Sequence, residues 1–299
     1  MPPAVPRAVG GTGLSGPPMV RLRVPAGSAR MEAAEGDDHD HGAIMHSVIL
    51  VTGGTGTLGR EVVRRLLEDE HEVRVLSRRG RAEGERLPVE WVRGDLRTGG
   101  GLGPALSGTD AVVHCATANG SGDVAMTRRL AEAARAAGAP HLVYISIVGA
   151  DRVPGFPYYR AKLECERIVA ESGLPWTVLR TTQFHGLITR LVAAQRRLPV
   201  VLTLGGGVRL QPVAEREAGE RLAELAVGEP AGRVADLAGP EIRTARDLTR
   251  AAARAAGTRR SVVPLRLPGK AFRAVREGAL LAPDRAVGRI AFDDFRSAR

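Results

Sequence analysis

From Ser47 onward, apolar and polar positions follow two alternating patterns. Continuous apolar runs predict buried strands, and segments in which apolar residues recur every three or four positions predict helices. The predicted strands cover 47–52, 72–76, 89–93, 111–115, 141–147 and 176–180. The predicted helices cover 57–69, 124–137 and 158–172, with a short glycine-rich candidate at 99–108. Alternation of this kind predicts a doubly wound α/β fold with a parallel sheet.

A glycine-rich turn follows the first predicted strand. Residues 52–59 read Thr-Gly-Gly-Thr-Gly-Thr-Leu-Gly, and a helical pattern begins directly after them. Glycines let the backbone turn tightly and approach a phosphate, while the helix start offers unpaired N–H groups and a positive dipole end. Strand, turn and helix together predict a dinucleotide site. The residues predicted at its pyrophosphate are Gly53, Thr55, Gly56, Thr57, Leu58 and Gly59.

The chain divides into three predicted parts. Residues 1–44 are rich in Pro, Gly and Ala and lack periodicity, so we expect a disordered extension. Residues 45–180 should form a Rossmann core. Residues 181–299 should form a smaller substrate lobe over the carboxyl edge of the sheet, with helices near 216–226, 243–256 and 269–280 and short strands near 200–204 and 233–237.

Residues at the ends of later strands should extend the dinucleotide site. Arg78 and Arg79 end the second strand where an acid would favour NAD, so they favour the 2′-phosphate of NADP. The alternative is chance, because about one residue in seven is Arg. Asp95 is expected near the adenine and Ala116 along the cofactor. The simpler explanation for Asp95 is that it caps a turn, and the simpler explanation for Ala116 is that it only packs against its neighbours.

Tyr158 and Lys162 stand four residues apart and should share one helix face. A nearby ammonium favours phenolate, which would make Tyr158 a better proton donor or acceptor. Ser146 ends the preceding strand and can hold a carbonyl oxygen. An ordinary exposed pair is the alternative, but the chain has 43 basic residues and Lys162 is one of only two lysines. We therefore predict Ser146, Tyr158 and Lys162 as catalytic residues.

The net charge and the cysteine content limit which partners and which compartment we expect for the protein. The net charge of +10 permits nucleic-acid binding, but the arginines are dispersed, so we expect none. No segment approaches the length of a membrane span, and we expect no membrane partner and a cytoplasmic protein. Cys115 and Cys165 are predicted as buried free thiols. The Asp- and His-containing stretch 35–41 is expected to be a solvated tail, so no metal is predicted.

These motifs resemble the short-chain dehydrogenase/reductase superfamily, in its atypical, NmrA-like branch. The resemblance covers about residues 47–299 and rests on the glycine turn, on 94–96 (Gly-Asp-Leu), on Tyr158 with Lys162, and on 176–180 (Trp-Thr-Val-Leu-Arg). It implies a Rossmann domain that binds NAD(P)H, with Lys162 also contacting the nicotinamide ribose. It also implies that residues 181–185 approach the nicotinamide and substrate, although His185 could equally be a packed loop residue.

The function expected from these residues is reduction of a carbonyl or quinone-like small molecule with NADPH. Two alternatives stay open. An NmrA-like redox sensor would need the glycine turn but neither Tyr158 nor Lys162. A nucleotide-sugar epimerase or dehydratase is less well supported, because the second half offers few aromatic residues and Arg78 with Arg79 disfavours NAD. The substrate and the oligomeric state are not indicated by the sequence.

Overall fold

The computed structural model describes residues 47–81, 84 and 86–297. The predicted extension at 1–44 and the stretch 35–41 lie outside these residues. The described residues belong to one compact unit.

The strands found in this unit include all six that were predicted before residue 180. In chain order they are β1 (Val48–Thr52), β2 (Glu72–Ser77), β3 (Glu90–Arg93), β4 (Ala111–His114), β5 (His141–Ile147), β6 (Trp176–Thr181), β7 (Val201–Leu204), β8 (Arg209–Leu210), β9 (Gly232–Arg233), β10 (Arg243–Thr244) and β11 (Val262–Leu265).

The helices lie between the strands and, at the end of the described chain, after β11. They are α1 (Thr57–Glu68), α2 (Leu102–Leu106), α3 (Gly122–Ala136), α4 (Pro157–Ala170), α5 (His185–Ala194), α6 (Glu215–Val227), α7 (Ala245–Ala255), α8 (Lys270–Arg276) and α9 (Phe292–Ser297). A 3₁₀ turn covers Pro283–Arg285. Helix α5 was not predicted.

Seven parallel strands form the main sheet in the order β3-β2-β1-β4-β5-β6-β9. Apolar side chains leave both faces of each central strand, as expected for a parallel sheet covered on both sides. On β1, Ile49 and Val51 pack towards α1 and α6, whereas Leu50 packs in the core beneath α2, α3 and α4. The doubly wound fold predicted from the sequence is confirmed.

The carboxyl ends of the central strands meet at one edge because the strands are parallel and in register. Thr52 at the end of β1 pairs with Leu76 of β2 and with His114 of β4, and His114 pairs with Tyr144 of β5. The loops after these strands are therefore neighbours, which creates the crevice in which ligands bind in such folds.

Residues after 180 contribute to both the sheet and a smaller set of elements. Helix α6 packs on α1, and β9 extends the main sheet beside β6. The other elements form a parallel pair, β7 with β11, and an antiparallel pair, β8 with β10. Helix α5 packs with α7 around Ile188, Val192 and Leu248.

Candidate functional site

The glycine turn holds the loops of β1 and β4 in close contact. Gly53 has a φ of +73°, and a Cβ there would lie 2.7 Å from the Ala116 backbone nitrogen. A Cβ on Gly59 would lie 2.2 Å from the Gly53 carbonyl oxygen. Both positions require glycine, because any side chain would push the turn away from α1 or from the end of β4.

The start of α1 is open to an anion. Its N-cap is Gly56, which provides no side-chain hydrogen bond, and its first turn contains no acidic residue. The unpaired N–H groups of this turn and the positive end of the helix dipole therefore face the crevice. The Arg60 Nε donates to the Thr55 carbonyl at 3.2 Å, which adds a cation beside the turn. These groups fit the pyrophosphate of a dinucleotide.

One half of the crevice, here called the Arg78 cavity, has a volume of about 550 Å³. It brings together seven of the predicted residues with the loops that follow β1, β2, β3 and β4. These seven are Gly53, Thr55, Gly56, Arg78, Arg79, Asp95 and Ala116. The Asp95 carboxylate also accepts a hydrogen bond from the Arg97 N–H at 2.9 Å, so it caps its turn as well as lining the cavity.

The other half, here called the Tyr158 cavity, has a volume of about 680 Å³. It contains the remaining predicted residues, which are Thr57, Leu58, Gly59, Ser146, Tyr158 and Lys162. The two cavities share Gly53, Gly56, Cys115 and Thr117 in their walls. All predicted site residues therefore line one continuous crevice at the carboxyl edge of the sheet.

Lys162 is buried and is bound by the strand beneath it. Its Nζ donates to the Tyr144 hydroxyl at 3.1 Å and to the Ile145 carbonyl at 3.0 Å. The Nζ lies 6.0 Å from the centroid of the Tyr158 ring. Burial lowers the pKa of Lys162, and Asp123 is the largest opposing influence.

Tyr158 belongs to a second hydrogen-bonded set. Its hydroxyl is hydrogen-bonded to Thr117, whose own hydroxyl donates to the Asp123 carboxylate at 2.7 Å. Burial, followed by the negative charge of Asp123, raises the pKa of Tyr158 to about 12. We expected Lys162 to lower this pKa. The structure differs because Lys162 is directed towards Tyr144 and Asp123 lies near the phenol.

Ser146 offers an uncommitted hydroxyl to the Tyr158 cavity. The residue is completely buried, and its Oγ has no hydrogen-bond partner among the described residues. Burying a hydroxyl without a hydrogen-bond partner costs free energy. A ligand oxygen placed here would form the hydrogen bond that the Ser146 hydroxyl does not make within the described chain.

The segment after β6 also lines the Tyr158 cavity, through residues 181–184. His185 does not take part. It is completely buried, lies with its ring edge-on to Phe292, and its Nε2 lies 2.9 Å from the Pro212 carbonyl oxygen. Burial lowers the pKa of His185 to about 4. His185 is therefore a packed residue, as the alternative interpretation of the sequence had it, but it begins α5 and does not lie in a loop.

Several residues that line the crevice or contact its side chains were not predicted. No sequence motif includes Thr117, Tyr144 or Asp123. They lie near the candidate catalytic residues only because α3 and α4 pack against β5. Arg190 of α5 donates to the Thr57 hydroxyl at 3.1 Å and so reaches the start of α1 from the second half of the chain. A helix prediction for α5 would have been needed to find it.

The prediction that both cysteines are buried thiols was wrong for Cys115. Cys165 is a buried free thiol as predicted, but Cys115 is only half-buried and lines both cavities. Burial of the sulfur raises the pKa of the Cys115 thiol to about 12. The thiol therefore stays protonated near neutral pH.

Other parts of the described chain add no chemistry to the crevice. A cavity of about 810 Å³ lies on the outer side of α4, β6 and β9 and includes none of the predicted site residues. The described residues contain no cluster of His, Cys, Asp and Glu that could hold a metal ion. Within the same residues, no helix has the length and apolar character needed to cross a bilayer.

Comparison with known proteins agrees with this geometry. Residues 53–190 match a family model described as NAD(P)H-binding. The chain is also 36% identical over 217 residues to the (4-alkanoyl-5-oxo-2,5-dihydrofuran-3-yl)methyl phosphate reductase of Streptomyces griseus subsp. griseus, covering 70% of this chain and 74% of that one. The chain belongs to the NAD(P)H-binding Rossmann family.

Other similar proteins differ in what their names describe. The photosystem II assembly factor Ycf39 of Trieres chinensis is 32% identical over 167 residues, and the match spans about half of either chain, 52% in each case. The crystal structure of the NADPH-dependent quinone oxidoreductase QOR2 from Escherichia coli with NADPH has a TM-score of 0.69 at 19% identity, covering 84% of this chain and 99% of that one. At this identity the likeness shows the fold alone.

Proposed function

We propose that the protein is an NADPH-dependent reductase of a carbonyl or quinone-like small molecule, in the atypical branch of the short-chain dehydrogenases/reductases. The observation that carries this proposal is the shared cavity. Ser146, Tyr158 and Lys162 line the Tyr158 cavity together with the first turn of α1. This arrangement supports Tyr158 as a proton donor and Ser146 as the hydroxyl that would hold a substrate oxygen beside the proposed dinucleotide site. The reductase from Streptomyces supports the reaction class.

Each residue has a distinct part in the proposed reaction. NADPH, when bound, would supply the hydride. The Ser146 hydroxyl would hold the substrate oxygen, since its Oγ has no other partner in the described chain. Tyr158 would release its hydrogen bond to Thr117 and donate its proton to the same oxygen. The buried ammonium of Lys162, 6.0 Å from the Tyr158 ring, would favour the phenolate that remains.

The proposed preference for NADP rests on Arg78 and Arg79. Both line the Arg78 cavity just after β2, at the position where an acid would bind the ribose of NAD. A guanidinium can bind a 2′-phosphate through two parallel hydrogen bonds.

The reaction is tested by measuring NADPH oxidation against a panel of carbonyl and quinone substrates. We expect Tyr158→Phe to lower kcat/KM by about a hundredfold or more, because a positioned proton donor contributes that much. Tyr159→Phe is the matched control, since Tyr159 lines the same cavity and also loses one hydroxyl. Equal turnover by wild type and Tyr158→Phe on every active substrate would exclude the assigned role.

Cofactor preference is tested with the double variant Arg78→Ala/Arg79→Ala. We expect its affinity for NADPH to fall by about tenfold or more and its affinity for NADH to change little, because only NADPH carries the 2′-phosphate. Arg135→Ala on the exposed side of α3 removes a charge elsewhere and serves as control. A parallel loss for both dinucleotides would contradict the preference.

A redox sensor is the second candidate, and one observation favours it. Lys162 is bound by Tyr144 and Ile145 while Tyr158 has a raised pKa, so the pair is not set for proton transfer before ligands bind. A sensor would bind NADPH and NADP⁺ tightly without turnover. Calorimetry with both forms, beside the oxidation assay, separates the two functions. The epimerase alternative predicts conversion of a nucleotide sugar without net NADPH consumption.

A further inference from the structure

Arg190 joins the second half of the chain to the glycine turn. It lies on α5, and its Nη1 donates to the Thr57 hydroxyl at 3.1 Å, across 133 positions of the sequence. Thr57 is the first residue of α1. Leu187 precedes Arg190 by three positions, so the two share a face of α5, and both line the Tyr158 cavity. One face of α5 therefore forms a wall of the crevice beside the start of α1.

The contact with Thr57 leaves most of the Arg190 guanidinium available. A guanidinium has five N–H donors and a full positive charge, whereas the Thr57 hydroxyl is neutral. Within the described residues, Arg190 makes no ion pair with an acidic side chain. The side chain is also exposed. Its charge and its other donors can therefore bind an anion that enters the crevice.

The two cavities indicate which anion would meet this guanidinium. A pyrophosphate joins the two nucleosides of a dinucleotide, so it should lie where the cavities meet, at Gly53 and Gly56. The adenosine half is expected in the Arg78 cavity at the end of β2, which leaves the Tyr158 cavity to the nicotinamide half. Arg60 lines the first cavity and Arg190 lines the second. Each of the two phosphates therefore has a guanidinium on its own side of the turn.

Glu215 is an acidic side chain that lines the same cavity as Arg190. It is buried in the first turn of α6, where the positive end of the helix dipole acts on its charge. Its Oε1 accepts a hydrogen bond from the Gly186 N–H at 3.0 Å. A Cβ on Gly186 would overlap that oxygen and would lie 3.5 Å from the Arg190 Nη1, so glycine leaves room for both groups. Glu215 thus fixes the start of α5 beside the crevice, while the Arg190 guanidinium reaches α1.

We propose that Arg190 binds the nicotinamide-side phosphate of the dinucleotide, so that the second half of the chain completes a site that the glycine turn begins. The turn would supply backbone N–H groups and the helix dipole, and Arg190 would add a charged fork from α5. The inference rests on the dinucleotide binding in the proposed function, and it applies equally to a reductase and to a sensor.

An anionic group on the substrate is the other ligand that Arg190 could bind. The contact with Thr57 favours the dinucleotide, because Thr57 belongs to the first turn of α1, whose N–H groups form the predicted pyrophosphate site. Measuring dinucleotide binding in the absence of any substrate separates the two ligands.

Titration calorimetry of the full chain with NADPH and with 2′,5′-ADP tests the proposal. The second ligand carries the adenosine-side phosphate and the 2′-phosphate but lacks the nicotinamide-side phosphate. We expect Arg190→Gln to lower the affinity for NADPH by about tenfold and to leave that for 2′,5′-ADP unchanged, because only NADPH loses a charge-assisted hydrogen bond. Arg190→Lys keeps the charge without the planar fork, so its loss of NADPH affinity should be smaller.

Arg196→Gln is the matched control, because Arg196 is exposed just after α5 and lines neither cavity. We expect wild-type affinity for both ligands from this variant. Three results would overturn the inference. They are an unchanged NADPH affinity in Arg190→Gln, an equal loss for 2′,5′-ADP, and an equal loss in Arg196→Gln.

The outcome for binding is independent of the outcome for turnover. If Arg190→Gln binds NADPH like wild type but has a raised KM for an acidic substrate, Arg190 belongs to the substrate site and the inference fails while the reductase stands. If Arg190→Gln loses NADPH affinity as expected but wild type turns over no substrate, the reductase proposal fails and the inference stands.

Discussion

Lys162 and Tyr158 share a helix face but bind different neighbours. The spacing of the two residues follows from the sequence, because positions i and i+4 meet on α4. The direction of the Lys162 ammonium does not, since it is set by the Tyr144 hydroxyl on β5. Tyr144 is completely buried and is also hydrogen-bonded to Cys165. A residue without a motif therefore determines where the rare lysine points.

At the residue scale, Tyr144→Phe should lower the pKa of Lys162 further. The hydroxyl accepts a hydrogen bond from the charged ammonium, and its loss leaves that charge with the Ile145 carbonyl alone. We expect a stability loss of about 1–2 kcal/mol as well. The measurement is NMR of isotopically labelled lysine, which gives two side-chain signals because the chain has only Lys162 and Lys270.

Lys270→Arg assigns the two signals, and Tyr159→Phe controls for loss of a nearby hydroxyl. A Lys162 titration midpoint that is the same in Tyr144→Phe and wild type would show that Tyr144 only fills space. Because no turnover is measured, this result stands whether or not the protein is a reductase.

At the scale of elements, the sequence predicted the strands and long helices of the first half and, in the second half, α6, α7, α8 and β7, but it missed α5 and the short strands β8, β10 and β11. The glycine turn and the strands before residue 180 have strong local patterns, and their predicted bounds agree closely with the structure. Helix α5 lacks such a pattern because Leu187 and Leu191 are exposed while Ile188 and Val192 are buried. Two-residue strands such as β8 and β10 leave no periodicity, and these two are defined only by their pairing with each other.

The contact between β1 and α1 gives a prediction at this scale. Gly59→Ala would place a Cβ 2.2 Å from the Gly53 carbonyl oxygen, so the turn must move away from the helix. We expect NADPH affinity to fall by about tenfold and stability by about 1–3 kcal/mol, which is typical of overpacking. Titration calorimetry and denaturant unfolding provide the two measurements.

Gly103→Ala is the control for the same exchange. Gly103 lies in α2 with no atom within 4 Å of the added Cβ, and its φ is not positive. We expect a gain of about 0.4–1 kcal/mol, because alanine reduces the freedom of the unfolded chain. If both variants bound NADPH like wild type, the close approach at Gly59 would not be needed for the site.

For the whole molecule, buried histidines link stability to pH. His114 is the last residue of β4, with its ring between the hydroxyls of Thr52 and Thr127, and His185 lies against α9. Burial lowers the pKa of His114 to about 3 and that of His185 to about 4, and the charge of Lys162 also acts on His114. Neither pKa could be derived from the sequence, because both depend on which side chains the fold places around each ring.

Acid should therefore destabilise the fold before either ring is protonated. Below about pH 6.5 the unfolded chain binds protons that the folded chain excludes, so each histidine lowers the unfolding free energy by about 1.4 kcal/mol per pH unit. This loss continues down to the folded pKa values and is absent above about pH 7. The unfolding free energy, measured with denaturant over this pH range, should fall less steeply with decreasing pH in His114→Gln and in His185→Gln than in wild type. If the unfolding free energy of both variants depended on pH as it does in wild type, the lowered pKa values of His114 and His185 would be contradicted.

Helix α5 borders the crevice through Leu187, and its Arg190 donates to the Thr57 hydroxyl at the start of α1. A dinucleotide that binds the folded chain and not the unfolded chain must raise the free energy of unfolding as its concentration rises. The protection of α5 amides against hydrogen exchange should therefore increase with the concentration of NADPH.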